Sequence, residues 1–246
     1  MSRPALLYTR YELLRTLRSK RFFVMSLGFP LAIYFLIAAP NRGVTSLDGT
    51  GIPAPTYYMI GLAAFGTMAA ILSSGTRIAG ERAVGWNRQL RVTPLRTRDY
   101  FRAKVVSAYL MAGLTIGLLY LSGTLLGVRL SAGEWLHMTE LLLIGLIPLA
   151  ALGILCGHWL TTDAVGPAMG GLTATLAFVS GAWYPLGHGL LDSIAQCLPS
   201  YWLVQASHVA LGAGGWPAKG WIVVGAWSVG LTLLAAAAYR RDTQRV

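Results

Sequence analysis

The chain has 246 residues, of which 55% are apolar and only 12% charged, and its mean hydropathy is positive. A soluble domain usually carries about a quarter charged residues, so this composition excludes an ordinary soluble protein and predicts an all-α polytopic membrane protein. The formal charge of +11 reads as topology and contact with anionic lipid; with no RNA or DNA motif beside it, no nucleic-acid partner is expected.

In chain order, Pro4 to Arg21 comes first. It carries Leu6, Leu7, Leu13, Leu14 and Leu17 within one broad helical arc, with Tyr8, Arg15 and Arg18 outside it. That pattern predicts an interfacial amphipathic helix, or a basic flank that only anchors the first span. Phe22 to Ala39 is too long for the apolar core of a secretion signal, and no clear A-x-A site follows before Pro40, so it reads as a span. A bilayer core needs roughly 20 apolar residues, and five more stretches qualify: Tyr57 to Ile78, Val105 to Val128, Leu141 to Leu160, Val165 to Tyr184 and Trp221 to Tyr239. The expectation is six spans in a single transmembrane domain over 1–246.

Between the second and third spans lies a basic loop, Gly80 to Lys104. Glu81 is expected to open a short helix there, its charge suiting the positive end of the dipole. Ala83, Trp86 and Leu90 fall on one face and Val84, Arg88 and Arg91 on another, and Thr93 before Pro94 stops the helix. By itself the loop reads equally as a docking element or as a solvated basic connection. After the fifth span, Leu190, Leu191, Ile194 and Leu198 share a helical face, and Ser200 is expected to cap a second short helix through Tyr201, Val204 and His208 toward Gly212. Neither piece can span. The two read as half-helices forming an outer gate, or as a surface cap with an aromatic belt of Trp183, Tyr184, Trp202, Trp216 and Trp221.

Charge placement orients the chain. With the amino terminus inside, the cytoplasmic segments hold seventeen of the twenty basic residues, leaving only Arg42, Arg129 and Lys219 outside, so both termini are expected in the cytoplasm. Within the spans, Gly113 and Gly117, Gly123 and Gly127, Gly153 and Gly157, and Gly166 and Gly170 are spaced for close helix approach. Pro148 and Pro167 are expected to bend their helices. Cys156 and Cys197 lie at different expected depths, which argues against a disulfide, and no zinc spacing occurs. His188, Asp192 and His208 are too scattered to predict a metal or catalytic cluster.

Ionisable residues are almost absent from the span centres: Arg77 and Asp163 stand at span ends, and His158, near the end of the fourth span, reads as a hydrogen-bonding group between helices. That disfavours a proton-driven carrier. The chain has no G-x-x-x-x-G-K-[ST] phosphate loop, so no cofactor is expected on it, and any ATP must be bound by another chain.

The run Glu81, Arg82, Gly85, Leu90, Thr93, Pro94, Leu95, Tyr100 and Lys104 resembles the E-[RK]-x-x-G…L…[TS]-P-L…K pattern after the second span of ABC-2 type permeases. Gly181, Pro185, Leu198, Pro199 and Tyr201 resemble the family's G-x-x-x-P…L-P-x-[YW] signature. The similarity covers essentially the whole chain, with two departures: Trp86 stands where the family often has Thr, and Gly187 to Gln196 lacks an inner proline. The resemblance implies an exporter subunit of the bacterial plasma membrane. It would pair with a second permease chain over a dimer of cytoplasmic ABC ATPase subunits that hold ATP and Mg. By the same similarity Glu81, Arg82, Gly85, Trp86, Leu90 and Pro94 belong to the coupling helix, Glu81 to Val92, that meets the ATPase. The half-helices correspond to the family's re-entrant gate.

The nearly uncharged interior and the outer aromatics favour an apolar or amphiphilic cargo such as a drug, antibiotic or lipid. Its expected path is lined by Tyr57, Tyr58, Trp183 and Tyr184, with Pro185, Pro199, Tyr201 and Trp202 at the gate; aromatic faces there could hold a cationic amphiphile. Two rivals come from other classes. Ser73, Ser74 and Gly75 faintly resemble a rhomboid-type protease motif, but Leu72 replaces its first glycine and Ser74 sits near the cytoplasmic end of its span. A passive channel or scaffold leaves the docking-like loop unexplained.

Overall fold

In a computed structural model, residues 3–20, 23–86, 89, 92–93, 95–187, 189–212 and 214–244 are described, and among them every regular element is helical. Helix α1 (Arg3–Leu17) buries Ala5, Thr9, Glu12 and Thr16, spaced four, three and four residues apart, and leaves Leu6, Leu7, Leu14 and Leu17 exposed. The leucine arc therefore turns away from the bundle and a polar stripe turns in. Thr9 and Thr16 donate their hydroxyls to the carbonyls of Ala5 and Glu12, both at 2.8 Å, so they enter the interior with their donors satisfied.

A π-helical segment, Phe23–Gly28, leads into α2 (Phe29–Ala38). The thirty-residue α3 (Ala54–Ala83) follows, and against it pack α2, α4 (Thr97–Leu125), α6 (Ile147–Trp159) and α7 (Thr162–Val179). Helix α5 (Ala132–Gly145) precedes α6, and α10 (Ala218–Gln244) packs along α6. The most apolar stretch of α3 is 83% buried and that of α10 only 22%, which makes α3 the axis of the bundle and α10 its rim. Two short helices, α8 (Leu190–Ala195) and α9 (Pro199–Gln205), lie between α7 and α10, and α9 runs on into the 3₁₀ segment Ala206–Leu211.

Among the described residues four stretches are long and apolar enough to cross a membrane: α3, Arg98–Leu125 of α4, Ala132–Trp159 formed by α5 and α6, and Ala218–Arg241 of α10. The expected first span contains the shorter apolar helix Ser26–Ala38. The expected fifth falls largely in α7, where Asp163, Pro167, three glycines and three threonines lower the apolarity. The fourth begins well before the expected Leu141. Ser131 and Glu134 form a reciprocal capping box that fixes its start, each side chain accepting from the other's backbone N–H.

Pro148 acts as expected, because α5 and α6 part at Leu146 just before it. Pro167 lies inside α7, which continues past it to Val179. Among the glycine pairs, Gly153 and Gly157 meet Gly75 of α3: a Cβ at Gly75 would come within 2.4 Å of the Gly153 carbonyl oxygen. Gly113, Gly117, Gly166 and Gly170 instead look onto open space. The same spacing thus serves an internal crossing in one case and open surface in two, while in the fourth pair Gly123 packs against the Met59 side chain. Both cysteines are free thiols.

Candidate functional site

Two clusters at opposite ends of α3 take up some of the expected functional residues, Glu81 at one end and Tyr57, Pro185 and Tyr201 at the other. At its carboxy-terminal end the helix runs through Glu81 to Ala83, so Glu81 closes a span helix, and the expectation that it opens a new one is corrected. The dipole does not favour a carboxylate there. Cations hold it instead. Lys104 Nζ lies 2.5 Å from Glu81 Oε1 and 2.8 Å from Glu12 Oε1, Arg15 reaches Glu81 Oε1 at 2.8 Å, and Arg77 approaches Glu12 at 3.5 Å. Tyr100 donates its hydroxyl to Glu81 Oε2 at 2.7 Å. Glu12, Glu81 and Lys104 are buried, so the cluster ties α1, α3 and α4 together inside the protein. The rings of Tyr8 and Tyr100, 5.8 Å apart, extend the same contact between α1 and α4. Burial, with Glu81 and Glu12 nearby, raises the Tyr8 phenol well above its usual range, so it stays neutral.

The residues that follow explain the spacing of the motif. Val84 caps α3, and Gly85 adopts a left-handed backbone, φ 68°, with its N–H donating to the Arg82 carbonyl at 3.0 Å, a glycine helix stop. Arg82 donates to the carbonyls of Gly157 at 3.0 Å and Leu160 at 3.4 Å, satisfying the carboxy-terminal end of α6. Trp86 is half-buried near Tyr8, while Val84, Gln89, Val92 and Thr93 are exposed. Leu90 and Pro94 lie outside the described residues.

Sequence reasoning missed Glu12, Arg15 and Arg77 as members of the cluster. One signal was present: Glu12 is the only acid among the first 47 residues.

At the other end of α3, a cavity of about 490 Å³ is bounded by the turn at Asp48, Gly49 and Thr50, by Tyr57, by Ser180 and Gly181 after α7, and by the segment from Pro185 through α8 and α9. Tyr57 is buried and donates its hydroxyl to the Gly181 carbonyl. Asp192 accepts from Gln196 Nε2 at 2.6 Å and from the Tyr201 hydroxyl at 3.2 Å. Burial and Asp192 push the Tyr201 phenol up to about 12, so it remains a donor, and burial lowers the pKa of His208. Ser200 does not cap α9. Pro199 begins that helix after Leu198, and Ser200 lies within it, receiving a hydrogen bond from Ser180 at 2.6 Å. Gly212, φ 73°, closes the following 3₁₀ segment where the sequence placed its end.

Of the expected path and gate residues, Tyr57, Pro185 and Tyr201 line this cavity. Tyr58 sits edge-on to Tyr57, Trp183 is 5.3 Å from Phe65, and Tyr184 is 5.3 Å from Phe178. Trp202 is buried and donates to the Gln196 carbonyl at 3.2 Å, and Pro199 is buried at the start of α9. His188 lies outside the described residues. The serines of the protease-like run belong to packing: Ser73 donates to the Ala70 carbonyl at 2.7 Å, and Ser74 is buried where α3 crosses α6.

Residues 5–211 match the family model described as ABC-2 type transporter. A Bacillus subtilis (strain 168) protein named "Putative transport permease YvfS" is 30% identical over 198 residues, covering 77% of this chain and 78% of that protein. The family match spans the Glu81 cluster and the whole cavity wall alike. The chain therefore belongs to the ABC-2 type transporter family and is a membrane transporter subunit.

Proposed function

We propose that this chain is the membrane-spanning subunit of an ATP-driven exporter of the bacterial plasma membrane, moving an apolar or amphiphilic cargo outward. In this reading six helices cross the bilayer with both termini cytoplasmic. A second permease chain lies alongside, and a dimer of ABC ATPase subunits, carrying ATP and Mg, docks below. The observation that carries the reading is the buried cluster of Glu12, Glu81 and Lys104 at the root of a loop in which Val84, Gln89, Val92 and Thr93 are exposed. The loop leaves α3 three residues after Glu81 and rejoins at α4, seven residues before Lys104. A push on that loop is transmitted to α1, α3 and α4 as a unit, because separating any of them unpairs a buried charge, at a cost of about 3–5 kcal/mol. Such stiffness suits an element that switches between two packed arrangements. The exposed Val84 and Val92 give the loop apolar contact points for a partner.

The test is a photo-crosslinking amino acid at Val92 in native membranes. The expected product is an adduct with a nucleotide-binding protein. Efficient crosslinking to lipid or to this chain alone, with no such protein captured, contradicts the coupling.

A further inference from the structure

We infer that the cavity between the Asp48 turn, Tyr57 and the α8–α9 pair is a binding site for a small organic cation bearing N–H donors, with Asp48 and Asp192 as its counter-charges. This deepens the exporter reading: the role in export rests on it, and the binding does not.

The charge of the wall is the first argument. In a chain of net charge +11, the cavity wall contains two carboxylates and no Lys or Arg among the described residues. Asp192 is held directly by neutral donors, the Tyr201 hydroxyl and the Gln196 amide, while Lys219 stays behind that amide, donating to Gln196 Oε1 at 2.5 Å and forming no ion pair with Asp192. Neither carboxylate forms an ion pair among the described residues. A half-enclosed negative pocket concentrates cations.

Unused hydrogen-bonding capacity is the second. Ser207 is 1% exposed and lines the cavity, yet its hydroxyl meets no partner among the described residues. That hydroxyl is available to a ligand in the cavity. Asp48 is the one described residue other than glycine with a positive φ, 44°, a conformation uncommon outside glycine and a recurrent mark of binding sites.

Size and chemistry then narrow the occupant. About 490 Å³ falls in the range of small-molecule sites. The rings of Tyr57 and Tyr201 and the side chains of Pro185, Leu186 and Val204 give an apolar and aromatic lining suited to an amphiphilic cation. A bare metal ion fits poorly, since the described residues contain no group of three His, Cys, Asp or Glu able to hold one. A neutral polyol would leave both carboxylates without a counter-charge.

The experiment is a fluorescence-anisotropy titration of the purified full chain in detergent with rhodamine 6G, an organic cation with N–H groups, and with the anionic dye fluorescein, both corrected for empty micelles. Saturable binding of the cation alone is expected, weakened at least about tenfold in the Asp48→Asn, Asp192→Asn double variant. Gly187→Phe provides a second variant. Gly187 lines the cavity and a Cβ there meets nothing within 4 Å, so a ring at this position is expected to narrow the cavity while the fold is kept, and to weaken binding to a similar extent. Unchanged affinity in both folded variants, or equal binding of the anion, overturns the site. Carboxylate-dependent binding in a chain that captures no ATPase keeps the site and removes the exporter reading; an ATPase partner with carboxylate-independent binding does the reverse.

Discussion

Lys104 Nζ sits between Glu81 Oε1 at 2.5 Å and Glu12 Oε1 at 2.8 Å, so one buried ammonium joins carboxylates from two other helices. The Tyr100 ring, 5.3 Å from the same nitrogen, adds a cation–π contact. Removing the ammonium leaves two buried acids with only Arg15 and Arg77 nearby. Lys104→Met is therefore expected to destabilise the protein by about 3–5 kcal/mol. Thermal unfolding of the detergent-purified protein, followed by size-exclusion fluorescence, measures it. A midpoint equal to that of the wild type contradicts the role given to the cluster.

The crossing of α3 and α6 sets a second expectation. A methyl group at Gly75 would approach the Gly153 carbonyl oxygen to 2.4 Å, and backbone cannot swing aside as a side chain does. Gly75→Ala is expected to cost about 1–3 kcal/mol through forced separation of the helices. Gly113→Ala, where the new atom meets open space, is expected to be neutral or slightly stabilising, because alanine favours helix by about 1 kcal/mol. Parallel unfolding curves for the two variants check the contrast.

Burial lowers the His208 pKa below its ordinary 6.5. The folded chain then binds this proton less readily than the unfolded one. The stability at stake is fully present above pH 6.5 and is lost as pH falls through that value toward the lower folded pKa. His208→Gln removes the titration. The drop in unfolding midpoint between pH 7.5 and pH 5 is expected to be smaller in the variant than in the wild type, and an equal drop contradicts the burial argument.

Much of the bundle was legible because apolar length and glycine spacing are local properties. The ends of the spans were less so. Glu81 and Arg82 read as the start of a separate cytoplasmic helix, and only the folded chain brings Lys104, Arg15 and the α6 carbonyls to them. The cavity was half legible. Tyr57, Pro185 and Tyr201 were found from aromatic position and motif, whereas the left-handed Gly181, φ 75°, redirects the chain so that Trp183 and Tyr184 pack on Phe65 and Phe178 instead. Asp48 escaped notice because nothing in the sequence places its turn against α9.

Thiol labelling tests the expected orientation. Cys197 is exposed beyond α8, and Cys156 is half-buried within α6. A membrane-impermeant maleimide applied to intact cells is expected to modify Cys197 and spare Cys156. Modification of Cys197 only after the membrane is broken open would invert the topology.

The central claim is that this chain works with a separate ATPase. A tagged copy, extracted in mild detergent from its native host and analysed by quantitative mass spectrometry, addresses it directly. The account predicts a phosphate-loop ATPase at about one copy per permease chain. Reproducible recovery of the folded chain without any such protein would contradict it.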